Sequence, residues 1–164
     1  MHIHFSEKQR FNQWWLILLF IGLALIPLVG VYKQLILGQP FGDKPMSDSG
    51  LIIYAVLTFL FILGFQALTL KTKITSRSIA FQFYPFVKKE ISWNEVKSAK
   101  LINYGFVGGW GIRLWTKYGT VYNVKGTKGL AIELNNGKKL VIGTQKSDTL
   151  QFVLKKIDQF NTRE

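Results

Sequence analysis

Two stretches without a charged side chain, Trp14 to Tyr32 (19 positions) and Leu51 to Leu70 (20 positions), constrain this chain more than anything else in it. A hydrocarbon core ~30 Å thick needs roughly 20 apolar residues in helical form, and both stretches meet that length. Trp14, Trp15 and Tyr32 bound the first one, aromatic residues suited to the headgroup level, and Lys33 can snorkel outward. Pro27 predicts a kink inside it. A cleaved signal peptide would show a shorter apolar region and a small-residue cleavage site just beyond it, and neither is present. The second stretch has only Thr58, Gln66 and Thr69 as clearly polar positions. The expected arrangement is a transmembrane hairpin, helices at 14–32 and 51–70, joined by an external loop at 33–50 rich in Gly, Pro, Ser and Asp.

Orientation follows from the distribution of Lys and Arg. The segments outside the hairpin carry Lys8 and Arg10 before it and Lys71, Lys73, Arg77, Lys88 and Lys89 soon after it, against Lys33 and Lys44 in the loop. Cytoplasmic flanks retain the positive excess. The expected localisation is therefore the cell's inner (cytoplasmic) membrane, multi-pass, with a cytoplasmic N-terminal segment at 1–13 and a cytoplasmic domain at 71–164. The hairpin has no charged residue to form a transport pathway, so it reads as an anchor.

From Lys71 onward the hydrophobic period shortens to two. Ile79, Phe81 and Phe83 alternate with Ala80, Gln82 and Tyr84; Ile112, Leu114 and Thr116 with Arg113, Trp115 and Lys117; Leu130, Ile132 and Leu134 with Ala131 and Glu133. Such runs, bounded by Gly, Asn and Ser, predict about seven half-buried antiparallel strands. The Asn135-Asn136-Gly137 turn also fixes a register. A two-residue loop would turn Leu140 and Ile142 to the wrong face. A three-residue loop with Gly137 left-handed sets Ile132 opposite Leu140 and Leu130 opposite Ile142, so a type I turn with a glycine bulge is predicted. Leu150, Val153, Leu154, Ile157 and Phe160 then follow helical spacing, with Asp148 as the expected N-cap, Gln151 three residues on, and Lys155 and Lys156 towards the C-terminal end.

Seven short strands and a terminal helix behind a transmembrane hairpin resemble the bacterial pleckstrin-homology-like domain family, including its small membrane-anchored members. The residues that carry the resemblance are Ile91-Ser92-Trp93-Asn94-Glu95-Val96, Gly108-Gly109-Trp110-Gly111-Ile112-Arg113, the Tyr122–Gly126 segment and the Ile142–Gln145 segment. It extends from Leu70 to about Phe160 and implies a membrane-anchored α+β protein whose strands form a strongly bent sheet or partly open barrel capped by the C-terminal helix. It supplies a fold and little chemistry, because a fold does not fix a function.

The chain has 21 Lys and Arg against 9 Asp and Glu, a formal charge of +12. It has no cysteine, and its histidines are His2 and His4 alone. Disulfides, Cys-based metal sites, a Cys nucleophile and a histidine active site are excluded. Met1-His2-Ile3-His4 is an incomplete ligand set in a segment read as disordered, so no metal and no cofactor are expected. Lys71, Lys73, Arg77, Lys88 and Lys89 are the candidates for facing anions. Each Lys or Arg near an anionic leaflet gains ~1 kcal/mol, which suits non-specific attraction to membrane lipids better than recognition of one headgroup. Gly105 to Gly111 lacks the Gly-Lys-Ser/Thr of a phosphate loop and is expected to be a flexible hairpin turn or bulge, with Trp110 and Arg113 as candidates for a partner-binding rim. Glu90, Glu95, Glu133 and Asp148 have no acid–base partner identifiable from spacing. The basic charge is explained by a lipid surface without invoking nucleic acid.

The expectation is a non-enzymatic integral membrane protein that presents a pleckstrin-homology-like module to protein partners or anionic headgroups, with self-association left open. The alternative is an accessory subunit held in a larger membrane complex through its hairpin.

Overall fold

The computed structural model describes residues 3–161, with side-chain surroundings as far as Ile157; Met1, His2 and the side chain of Phe160, all named above, lie outside the described residues. The chain divides into two compact units, one of residues 11–67 and one that joins residues 1–10 to residues 68–164.

The helical unit contains α1 (Trp14–Val31), continued by a π-helical turn at Tyr32–Ile36, and α2 (Asp48–Ala67). Their apolar windows are long enough to cross a membrane. The first helix therefore runs past Tyr32 into the expected loop, and the second starts at Asp48 and stops at Ala67. Gln34 explains part of this: its amide donates to the Met46 carbonyl at 2.8 Å and to Asp48 Oδ1 at 2.7 Å, fastening the loop across its base. Leu16, Phe20 and Ile62 form the buried seam between the helices, and the Phe65 ring meets Phe11 and Phe20 edge-on at 5.2 Å. Pro27 lies inside α1.

The second unit is built on two sheets. β1 (Ile3–Arg10), β2 (Thr69–Thr75), β3 (Ser78–Tyr84) and β4 (Val87–Ser92) form a four-stranded antiparallel meander in that order. β5 (Val96–Asn103), β6 (Gly111–Thr116), β7 (Gly119–Asn123), β8 (Lys128–Leu134) and β9 (Lys139–Gly143) form a second sheet in the order β5-β8-β9-β7-β6. Helix α3 (Ser147–Asn161) follows. The described residues form nine strands in two sheets, one of them before the helices, where about seven were expected after them, and β7 runs parallel to β9 where only antiparallel pairing was expected. The core joins inward residues of the first sheet (Leu70, Ile74, Ile79, Phe81, Phe83) to Leu130, Ile132, Leu140 and Ile142 of the second and to Leu150, Val153, Leu154 and Ile157 of α3. Phe81 and Tyr122 bring the sheets together, ring centroids 4.8 Å apart.

The β8–β9 hairpin has the register read from sequence: Leu130 partners Ile142, Ile132 partners Leu140, the Gly137 N–H donates to the Leu134 carbonyl, and Gly137 has φ +80°. The intervening Val141 is also buried, packed with Val121 and Tyr104 on the opposite face, so this sheet is covered on both sides. Three expectations fail here. Asp148 lies in the first turn of α3 and is not the N-cap; the Lys146 carbonyl receives the first helical N–H, from Leu150. The Gly105–Gly111 loop is no hairpin turn, since it links β5 to β6 at opposite edges of the sheet. The alternation of β6 does not produce a buried face, because its register breaks between Arg113 and Thr116, where Trp115 takes φ +54°, and Leu114 and Trp115 are exposed.

Ile3–Arg10 form a strand and not a disordered tail. β1 partners β2 from Ile3 opposite Thr75 to Arg10 opposite Thr69. Its inward face is Phe5, Glu7 and Gln9, all buried. Glu7 accepts from the Thr144 hydroxyl at 2.6 Å and from the Gln145 N–H at 2.9 Å, and Gln9 donates to the Gly143 carbonyl at 2.7 Å. The Gly143–Gln145 segment, one of those that carry the family resemblance, is thus the seat of β1. Thr69 and Leu70, expected at the end of the second helix, belong to β2, and Leu70 is fully buried in the module.

Replacing Glu7 by Ala should destabilise the full-length protein by about 1–3 kcal/mol, because the buried Thr144 hydroxyl and the part-buried Gln145 N–H lose their acceptor; Glu7→Gln, which keeps one acceptor oxygen, should cost less. Thermal unfolding in detergent checks both. Burial also holds the Tyr104 and Tyr122 phenols above their ordinary value of 10.0. The unfolded chain therefore ionises first: stability present below pH 10 falls as pH rises through the folded-state values. Unfolding midpoints across that range should decline less steeply for Tyr122→Phe.

Candidate functional site

Strand register decides which basic residues meet. On the solvent side of the first sheet, Lys8 stands opposite Lys71, Lys71 opposite Gln82, and Gln82 opposite Lys88, one row across four strands. The neighbouring row is Ser6, Lys73, Ala80 and Glu90. Alternation puts these side chains outward because Leu70, Thr72, Ile74, Phe81 and Phe83 fill the inward positions. Lys71, Lys73, Ala80, Gln82, Lys88 and Glu90 line a depression of about 480 Å³ on this face. Ala80 is the low point between the longer chains, and the Ser78 hydroxyl donates to Glu90 Oε1 at 2.6 Å, which draws that carboxyl to one side.

Lys8 and Lys71 are direct cross-strand neighbours of like charge, a pairing that costs sheet stability. The row of three lysines and one amide faces solvent and adds nothing to the core. Its donors suit an anion with several oxygens, such as a phosphate ester, each ammonium acting as a point charge with rotatable donors.

The sequence-derived candidates divide. Lys71, Lys73 and Lys88 come together here. Arg77 lies in the β2–β3 turn at the far end of the sheet, its N–H held by Thr75 Oγ1 and its carbonyl by the Trp93 N–H. Lys89 has the opposite parity on β4, opposite Phe81, yet it too lines this depression, and Lys88 and Lys89 both line a second one of about 650 Å³ with Trp115, Lys138 and Lys139. Lys8 and Gln82, not among the candidates, belong to the row.

The proposed partner rim is closed on itself. The Arg113 guanidinium donates from Nη2 to the Trp110 carbonyl at 2.9 Å and packs against Gly109, where an added Cβ would come within 2.6 Å of it. Trp115, 94% exposed, is the more prominent aromatic. Glu133 is engaged by lysines: its hydrogen bond from Lys97 (3.0 Å), with Lys139 at 3.7 Å, holds its carboxyl below the ordinary range. Among the described residues no group of three or more His, Asp or Glu could hold a metal ion. No protein-family model, no curated protein and no solved structure matches the chain.

If the lysine row is kept for binding, Lys71→Gln should raise the unfolding midpoint, a gain of roughly 0.2–1 kcal/mol from removing the repulsion with Lys8, while lowering affinity for anionic surfaces. Melting curves paired with a lipid-binding measurement test both directions together.

Proposed function

We propose that the chain is a membrane-anchored binding module. Its hairpin spans the bilayer, its β module lies on the cytoplasmic side in the manner of a small pleckstrin-homology-like protein, and the lysine row of its first sheet engages anionic headgroups. The observation that carries this reading is the pairing of Arg10 with Thr69 across the helical insertion. Strands adjacent in one sheet share one side of a membrane, so whatever lies between them must cross an even number of times, and two helices satisfy that. Only 22% and 17% of the most apolar windows of the two helices are buried, whereas a helix serving as the core of a soluble protein would be mostly buried. Leu18, Leu19, Leu25, Ile53, Leu57, Leu60, Phe61 and Leu63 are left exposed, an apolar surface far beyond what a soluble monomer tolerates and suited to lipid.

The absence of cysteine makes the test clean. In right-side-out cells an impermeant maleimide should label Lys44→Cys, in the loop, and leave Lys100→Cys and Asn136→Cys unlabelled until the membrane is opened. Labelling of the β module from outside would overturn the orientation. For the site, the full chain in nanodiscs should melt higher as phosphatidylglycerol replaces phosphatidylcholine. That gain should shrink in the triple Lys71→Gln, Lys73→Gln, Lys88→Gln variant and on raising salt from about 0.1 M to about 1 M. A gain indifferent to both would remove the electrostatic reading.

A further inference from the structure

Tyr84-Pro85-Phe86, the last residue of β3 and the two-residue loop to β4, stands at one particular end of the first sheet. Tyr84 partners Thr69, and Thr69 partners Arg10. These are the residues at which the chain leaves the sheet for the helices: Leu68 alone separates Thr69 from the end of α2, and residues 11–13 separate Arg10 from the start of α1. An extended chain covers at most ~3.5 Å per residue, so these links hold this sheet end within about 7 Å and about 14 Å of the two helix ends.

Both aromatic rings of the loop face solvent, Tyr84 at 47% and Phe86 at 68% exposure. The core does not use them, since Phe81 and Phe83 supply the buried rings of β3. A short turn in water is ordinarily built from Gly, Asn, Asp or Ser beside its proline. The turn at the other end of the sheet, Ser76-Arg77, is polar throughout. Arg10 stands in the same row as Tyr84, and Lys8, Lys71 and Lys88 form the next row back on the outward face. Rings in front and cations behind match the layering of a membrane interface, where aromatics settle at the headgroup level and Lys or Arg meet phosphate.

We propose that Tyr84-Pro85-Phe86 is an interfacial anchor that seats its two rings among the headgroups of the same bilayer that α1 and α2 cross. This rests on the transmembrane reading of the hairpin. The β module would then meet the membrane at the loop as well as through its two chain connections to the helices.

Single-cysteine variants of the full chain, labelled with an environment-sensitive fluorophore and reconstituted in phosphatidylcholine–phosphatidylglycerol vesicles, test this with doxyl-labelled lipids as quenchers. A probe at Phe86→Cys should be blue-shifted and quenched by a shallow doxyl group, one at Arg77→Cys should stay unquenched, and one at Gly22→Cys, inside α1, should be quenched by a deep doxyl group. Adding Tyr84→Asp should reduce quenching at position 86 several-fold. If position 22 is quenched and position 86 behaves like position 77, whether both are dark to the quencher or both reached by it, the anchor is refuted while the hairpin stands. If position 22 is not quenched, the transmembrane reading itself fails and the anchor fails with it.

Discussion

The pairing of β1 with β2 is the constraint on which the rest depends. The two strands are separated in sequence by the whole helical unit, yet Arg10 and Thr69 are neighbours in one sheet. The ladder alone would leave β1 as an edge strand, which is a weakly held position. The inward Glu7 and Gln9 side chains secure it by bonding to the Gly143–Gln145 segment, the joint between β9 and α3. The beginning of the chain is therefore fastened to residues near its end, and the first sheet, the second sheet and the terminal helix share one core. That core is continuous because the inward rows of both sheets carry large apolar residues, and it closes around the Phe81–Tyr122 contact.

The outward face of the same sheet obeys a different logic. Folding would favour alternating charges across β1, β2 and β4, since opposite pairs stabilise and like pairs repel. The sheet instead sets Lys8 beside Lys71 and places Lys88 in the same row. The repulsion persists because the buried faces of these strands over-determine their register: a slip of one residue would drive the lysines into the core and expose Leu70, Ile74 and Phe81. Backbone fit adds further restraint. Gly119, at φ +81°, passes so close to the Lys139 carbonyl that any side chain there would collide with it, which is how β7 comes to lie along β9.

How much of this was legible depended on whether a residue's partners were near it in sequence. The two helices, the β8–β9 register and the buried face of α3 were readable because hydrophobic period and turn chemistry are local signals; Leu130, Ile132, Leu140 and Ile142 sit where those signals placed them. β1 was not readable, because two of its three inward residues are polar and their partners lie more than a hundred residues away. Without that strand Lys8 counted only toward topology. The basic cluster was largely legible: Lys71, Lys73, Lys88 and Lys89 line one depression, Lys89 with the opposite parity on β4, while the turn carries Arg77 away. Trp110 and Arg113 stand out in the sequence by residue type alone, and the guanidinium's bond to its own loop is invisible there.

The sequence by itself determined that two segments are apolar and long enough to leave water, that the rest alternates into strands ending in an amphipathic helix, and that positive charge gathers outside the hairpin. These follow from composition and period, which need no knowledge of what touches what. Only the tertiary structure decided that residues before the hairpin complete the sheet after it, that three particular lysines fall in one row, and that an aromatic loop shares its end with the two helix connections. Each of those is a matter of strand register, and register is set by the burial of distant side chains against one another.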